Sequence, residues 1–405
     1  MKGKIINDPV YGFIRFTEPE VLTVLDHRWF QRLRGIRQMG MAYQVYPGAV
    51  HSRFQHSLGA CHLMGKAMEE LRAKGIRISD EDCTAARLAI LMHDIGHGPF
   101  SHALEYVLAD GVNHEWLSQL IMQRLNGELG GALDRAIALY SAAPPVPFLH
   151  QLVSSQLDVD RMDYLNRDSY FTGVSEGVIG YDRILQMLTV RDGELLVEQK
   201  GVQSVEKFII ARRLMYWQVY LHKTVLGAEQ LLINILRRAK ELARDGKDLF
   251  ATPALRHFLY NAINKADFLE DPLHLETFCS LDDSDILASV KVWQRCDDRV
   301  LSRLCRMLIE RRLYKVILTK DVIDENFVLE KAREVQKAYD LTDAEVPYFV
   351  FTDTTSSSMY NLHKEHIRVA LKDGDSAELS ELDDSLVNAA FAGPIVKNYI
   401  CYVRL

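Results

Sequence analysis

The chain has 405 residues, 48% hydrophobic and 25% charged, the composition of an ordinary globular protein with one large domain or two to three smaller ones. The net charge of −7 argues against a general nucleic-acid partner, but not against a small anionic substrate in a locally basic pocket. No run of about 18 apolar residues exists to cross a membrane, the opening MKGKIINDPVYGFIRF has no signal-peptide core, and six scattered cysteines without a CxxC pair read as reduced thiols in a cytoplasmic protein.

Alternation through Ile5, Ile6 and Tyr11 to Phe16, around Asp8-Pro9, predicts a small opening hairpin. Leu22, Leu25, Trp29, Phe30, Leu33 and Ile36 then recur at helical spacing, and Pro47-Gly48 marks a loop. A second helix is expected over about 52–73. A third starts at Ser79, where Ser79 and Asp82 resemble a capping box, and runs through Leu88, Leu91 and Met92 until Gly96, Gly98 and Pro99 end it. Shorter helices are expected at 102–109, 113–126, 130–141, 146–155 and 158–168. A hairpin follows at 187–199 around Asp192-Gly193, then long helices at 205–243 and 252–313. In the tail, YKVILT, YFVFTD, IRVALKDGD and NYICYVRL read as strands, with a helix at 324–339 and an acidic loop or short helix at 376–385. The fold class is therefore mainly α: a helical core with short β-hairpins over residues 1–240, and a smaller C-terminal helical and α/β region over 241–405.

The sharpest chemical feature is the adjacent pair His93-Asp94 inside LMHDIGHGPFSH. One nitrogen and one carboxylate oxygen at a glycine-terminated helix end suit Mn, Fe, Zn or Mg better than they suit a pure calcium site. The preceding run LAILM is apolar, so the pair sits at a buried helix end and needs partners. Further along, at about 100° per residue, Asp160, Arg161, Tyr164 and Asp168 share a helical sector of about 100°. His102 and Glu105 are three apart on a helix start, so they share a face. A carboxylate there fixes the imidazole tautomer and makes His102 the candidate general acid.

HSRFQHSLG, then HDIGHGPFSH with His93 37 positions beyond His56, then DVDRMDYLNRD, resembles the HD-domain deoxynucleoside triphosphate triphosphohydrolases over roughly residues 1–235. The resemblance implies an HD-domain helical core with His56, His93, Asp94 and Asp160 as ligands of one divalent ion. It implies that Arg53, His97, His102, His114, Arg161 and Arg212 face phosphate or act in catalysis, with Glu105 beside them. Arg161 stands where the family usually has lysine, which keeps the charge and changes the donor geometry. It places Gln38 and Asp168 at the sugar 3′-hydroxyl, Tyr164 on the same face, and Tyr220 under C2′, where it excludes a ribose hydroxyl. Met39 stands where leucine is common, and Tyr216 where the vertebrate enzyme has histidine. Asp26, Gln31 and Arg34 coincide with positions that bind a regulatory GTP or dGTP at a subunit interface in regulated members, which implies a homodimer or higher homo-oligomer.

The implied reaction is hydrolysis of a deoxynucleoside triphosphate to deoxynucleoside and inorganic triphosphate. A metal-activated water attacks the α-phosphorus and His102 protonates the departing 5′-oxygen. One alternative, another HD-type nucleotidase or phosphodiesterase, shares the same ligand motif; a second, a nucleotide-sensing scaffold, is disfavoured by the complete ligand set. Arg161, Arg212 and Tyr220 favour the triphosphate reading.

Overall fold

The computed structural model describes residues 3–141, 143–358, 366–382, 386 and 394–405. It opens on the expected hairpin, β1 (Lys4–Asp8) antiparallel to β2 (Gly12–Phe16). The helical run expected over 22–36 is broken. α1 (Pro19–Asp26) stops at His27, whose backbone is extended and whose side chain accepts from the Trp29 amide to start α2 (Arg28–Gln31); a 3-10 turn, Arg32–Gly35, follows. Leu25, Phe30 and Leu33 stay buried across the break. An N-cap placed within an apolar period leaves that period visible and the break hidden.

α3 (Arg53–Ala73) and α4 (Asp80–Met92) form the centre. α3 starts on a capping box between Ser52 and Gln55, and α4 on the Ser79 side chain, which accepts from the Asp82 amide. Beyond α4 come α5 (Glu105–Leu108), α6 (His114–Glu128), α7 (Asp134–Ala138), α8 (Pro147–Val153) and α9 (Val159–Thr172). α3 packs against both α4 and α9, so three helices that carry predicted ligands meet. The helix expected over 130–141 shrinks to α7 because Gly130 and Gly131 adopt φ of 63° and 89°.

α10 (Tyr181–Met187) leads into the hairpin β3 (Leu188–Arg191) and β4 (Glu194–Glu198), turned as expected by Asp192 and Gly193, both at positive φ. The helix expected over 205–243 is two helices, α11 (Val202–Met215) and α12 (Lys223–Arg244), separated by a π-turn at Tyr216–Tyr220. The run expected over 252–313 is five: α13 (Pro253–Tyr260), α14 (Lys265–Glu270), α15 (Pro272–Phe278), α16 (Asp283–Trp293) and α17 (Arg299–Ile309). Pro253 and Pro272 occupy first helical turns, and the Asn264, Asp271, Asp282 and Asp298 side chains each cap a new start.

The tail adds β5 (Lys315–Thr319), α18 (Glu325–Tyr339), β6 (Val350–Ser358), β7 (Arg368–Ala370), β8 (Ser376–Glu378) and β9 (Pro394–Tyr402). β9 is the middle strand of an antiparallel sheet, β5-β9-β6. β7 instead joins the earlier hairpin, parallel to β4, and gives the order β3-β4-β7-β8. The acidic segment expected at 376–385 holds β8 and a 3-10 turn, Leu379–Glu381; residues 383–385 lie outside the described residues. Among the described residues no helix is long and apolar enough to cross a membrane.

One buried charge network ties α9 to the core. Arg167 is fully buried and donates to Asp8 Oδ2 at 2.8 Å and to Asp163 at 2.9 and 3.0 Å. Gly59 on α3 makes the space, since a Cβ there would stand 2.0 Å from Asp163 Oδ1. Arg167→Ala strands two buried carboxylates and is expected to cost about 3–5 kcal/mol of stability in denaturant unfolding. A loss under about 1 kcal/mol would mean that water replaces the guanidinium.

Candidate active site and metal centre

His56 comes from α3, His93 and Asp94 from the end of α4, and Asp160 from the first turn of α9. His56 Nδ1 donates to Asp163 Oδ2 at 2.7 Å, and His93 Nδ1 to the Ile90 carbonyl at 2.6 Å. With those tautomers both Nε2 lone pairs point inward, 3.4 Å apart. Asp160 Oδ1 lies 3.0 Å from His56 Nε2 and 3.3 Å from His93 Nε2. Asp94 brings Oδ1 to 3.3 Å from His93 Nε2 and Oδ2 to 3.6 Å from His56 Nε2.

Two inward lone pairs and two carboxylates make a pocket that can hold a cation. Ligands about 2.1 Å from an ion stand about 3.0–3.4 Å apart in octahedral or tetrahedral arrangement, so this donor set fits a divalent ion. Electrostatics agree. Burial disfavours charge on His56, yet Asp160 and Asp163 outweigh it and push its pKa up to about 10; the pocket thus holds a proton where an ion fits. Burial also opposes ionisation of Asp94 and Asp160. His93 and Arg53 nevertheless hold Asp94 well below the usual carboxylate range, and His93 and His56 do the same for Asp160.

Beside the ion site stands a carboxylate–imidazole relay. Glu105 accepts from His114 Nδ1 at 2.6 Å and the His114 amide at 2.8 Å, and lies 3.3 Å from His102 Nδ1. Burial of Glu105 is overcome by these two histidines, which hold it well below the usual range. His102 and His114 therefore keep Nε2 free for a substrate. His97 stacks on His114 with ring centroids 3.8 Å apart. Burial and the Arg53 charge hold His97 well below the usual imidazole range, so it stays neutral.

Asp94, Asp160, His97, His102 and His114 line one cavity of about 550 Å³, together with Gln38, Met39, Arg53, Tyr164, Asp168, Tyr216 and Tyr220. Arg53 is buried, pairs with Asp94 and donates to Ser101 Oγ at 2.7 Å. Asp168 accepts from the Tyr220 hydroxyl at 2.5 Å and pairs with His51 Nε2 at 2.7 Å. Gln38 Oε1 and His97 Nδ1 are buried without a partner among the described residues. Arg161 and Arg212 do not line the cavity. Arg161 pairs with Asp158 and the Ser155 carbonyl, and Arg212 donates to Gln156 at 3.1 Å. Both stay close enough to the Tyr164 hydroxyl to offset part of the effect of its burial. The π-turn separates Arg212 from the tyrosines, since one inserted residue rotates the following helical face by about 100°.

Asp26, Gln31 and Arg34 share a separate surface depression of about 360 Å³ with Lys4, Ile5 and Phe54. Lys4 pairs with Asp26, Arg34 Nε donates to Gln31 Oε1 at 2.7 Å, and the Arg34 guanidinium lies 3.6 Å above the Phe54 ring.

Several supporting residues escaped the sequence reading. His51 opens HSRFQHSLG, and Asp163 lies inside DVDRMDYLNRD, so their motifs were in view while their roles were not. Asp283 had no signal at all. It lies at the start of α16 and accepts from the Phe100 amide at 2.7 Å and the Arg37 amide at 3.1 Å, holding the turn before His102 to the loop before Gln38. Burial raises its pKa to about 6 in spite of those donors and Arg37. Phe100 and Ser101 both sit at φ 56°, a conformation that needs such support.

The sequence profile of the HD domain matches residues 53–168, and that of the HD associated region matches 179–252. The uncharacterized protein YwfO of Bacillus subtilis is 32% identical over 368 residues, 89% of this chain and 82% of that protein. The deoxynucleoside triphosphate triphosphohydrolase SAMHD1 of Homo sapiens is 29% identical over 264 residues, 54% of this chain; the match spans 42% of the human protein's length. Among solved structures, a phosphohydrolase from Bacteroides thetaiotaomicron superimposes with a TM-score of 0.96 at 47% identity, covering 100% of both chains.

Proposed function

Because this chain belongs to the HD-domain phosphohydrolase family, we propose that it hydrolyses deoxynucleoside triphosphates to deoxynucleoside and inorganic triphosphate. The observation that carries the reading is a single cavity. It brings Asp94 and Asp160 of the ion cluster and His102 and His114 of the relay onto one wall system with Tyr220 and Asp168. A divalent ion held by the four ligands supplies Lewis-acid charge to a phosphate oxygen and eases deprotonation of the attacking water.

The chain's own residues do the rest. Arg53 neutralises charge on the α-phosphate, and His97 and His114 orient it. Water oxygen bonds to the α-phosphorus as the bond to O5′ breaks, and His102 Nε2 delivers a proton to O5′. Arg161 and Arg212, beside Tyr164, receive the outer phosphates by exchanging their present partners. Gln38 and Asp168 hold the 3′-hydroxyl. The test is chromatography of products from each of the four substrates with Mg or Mn: intact triphosphate together with deoxynucleoside supports the reading. The present engagement of Arg161 by Asp158 favours one alternative, an HD nucleotidase acting on shorter phosphates. That reading gains if monophosphates react and triphosphate never forms.

Sugar selection follows from Tyr220. A 2′-hydroxyl pressed on its ring loses water without replacement, which costs roughly 1–3 kcal/mol. Deoxynucleotides should therefore react at least about tenfold faster than ribonucleotides. Tyr220→Ala should narrow that gap by admitting ribose. Equal wild-type rates on GTP and dGTP would remove Tyr220 from this role.

We also propose that the depression holding Asp26, Gln31 and Arg34 binds a regulatory GTP or dGTP between subunits of a homo-oligomer. Light scattering with added nucleotide should register a rise in mass, and Arg34→Ala should abolish that rise. A wild-type mass that ignores both nucleotides leaves only the catalytic part of the proposal.

A further inference from the structure

The polar side chains around the catalytic cavity divide by the part of a nucleotide they suit. Asp94 and Asp160 belong to the ion cluster; Arg53 and the three histidines suit phosphate; Gln38, Asp168 and Tyr220 suit the sugar. The remaining wall is mostly apolar, built from Met39, Gly40, Ala42, Leu221 and Val225. One further ionisable carboxyl lies in it, that of Glu229.

Glu229 stands on α12 one turn beyond Val225, and both face the cavity. Among the described residues nothing donates to it and no cation pairs with it. Its Oε1 lies against the open face of Gly40, 3.6 Å from where a Cβ would stand, and Gly40 holds φ at 49°. A Cβ at position 40 would press on the Phe100 carbonyl at 3.0 Å and touch the carboxyl at ordinary contact distance, so the glycine keeps that side of the carboxyl clear. A carboxyl group that is partly buried, unpaired and left uncovered on a cavity wall does no packing work that an apolar residue would not do better. Burial alone raises its pKa to about 8, so near neutral pH it is an uncharged acid, with a hydroxyl donor beside a carbonyl acceptor.

We infer that Glu229 is a nucleobase-binding residue, its carboxyl pairing with an adjacent donor and acceptor on the base edge. The inference rests on the deoxynucleoside triphosphate reading above. Each of the four bases carries such a pair: N6–H and N1 in adenine, N4–H and N3 in cytosine, N1–H and O6 in guanine, N3–H and O4 in thymine. An acid that both donates and accepts can meet all four by rotation about its last bond. The apolar wall supplies a flat contact that any base can use. Glu229 therefore makes the site require a pairing edge while tolerating which base provides it.

The experiment measures kcat and KM for the four deoxynucleoside triphosphates and for the 2′-deoxyribosyl triphosphate of unsubstituted purine, which lacks the exocyclic donor or acceptor. Wild type, Glu229→Gln and Glu229→Leu are compared, with circular dichroism to verify folding. Glu229→Gln keeps a donor beside an acceptor and should stay within about threefold of wild type on all four substrates. Glu229→Leu should lose about tenfold or more in kcat/KM on all four, through KM, and lose little on the purine analogue. An equal loss on the analogue and the four substrates means a structural role and overturns the inference, as does no loss at all. Failure of the underlying reading looks different. If wild type cleaves none of the compounds, the panel is read by thermal stabilisation. Stabilisation by the four that Glu229→Leu weakens, with the analogue unaffected, keeps the base reader and discards the reaction. Absence of any stabilisation discards both.

Discussion

Asp94→Ala is expected to lower hydrolysis by about a thousandfold or more and to release the bound ion, with the helical fold retained. Three independent losses coincide at this one residue. The ion loses a carboxylate whose oxygens lie 3.3 and 3.6 Å from the two histidine nitrogens. Arg53 loses the anion it pairs with, so a buried guanidinium is left to turn toward other partners. His97 Nε2, 3.5 Å from Asp94 Oδ1, loses its contact with the cluster. Asp163→Asn is the graded comparison. Asp163 orients His56 through Nδ1 and also accepts from the buried Arg167, so a loss of about 10–100-fold in activity or ion affinity is expected, with unfolding measured alongside to separate the two contacts. Elemental analysis of purified protein alongside initial rates checks both. An Asp94→Ala protein that is free of metal and fully active would sink the proposed centre.

His102→Ala should cost about 10²–10⁴-fold in kcat on natural substrates, the usual range for a lost general acid. The loss should depend on the leaving group. A substrate with sulfur in place of the 5′-bridging oxygen departs as a thiolate and needs no proton. His102→Ala should therefore process it at close to the wild-type rate. Glu105→Gln should fall between, because it loosens both His102 and His114 without removing either imidazole. If His102→Ala loses equally on both substrates, the histidine binds phosphate and another group is the acid.

The family resemblance singled out His56, His93, Asp94 and Asp160, and the four side chains meet because each lies in a short motif near a helix end. His93 and Asp94 close α4, and Asp160 opens α9 behind its Asp158 cap. The shared face of Asp160, Tyr164 and Asp168 also followed from helical phase, and all three line the cavity. Arg161 was placed on that face by phase as well, but a long side chain goes where its partner is, and Asp158 is three residues away. The π-turn at Tyr216–Tyr220 was invisible because its register is set by packing and not by propensity. Glu229 was hidden for a plainer reason: a lone glutamate on an amphipathic helix usually faces water, and only the closure of α12 over the cavity shows that this one does not. The pairing of β7 with β4 joins Leu196 to Arg368, about 170 positions apart, a contact that local pattern cannot encode.

Asp283 has a consequence for how the protein comes into being. The turn that presents His102 holds two residues in the left-handed region and is pinned by a carboxylate supplied much later in the chain. During synthesis the segment through α9 emerges with His56, His93, Asp94 and Asp160 already made, yet with the Phe100 amide still lacking its acceptor. Chains fold from the N-terminus as they emerge, so the four side chains can assemble while the turn that carries His102 waits for α16. The last piece of the cavity wall to be fixed is thus set by a residue made long after the helices it braces, and a chain cut short of Asp283 should leave Phe100 and Ser101 without the support that their backbone needs.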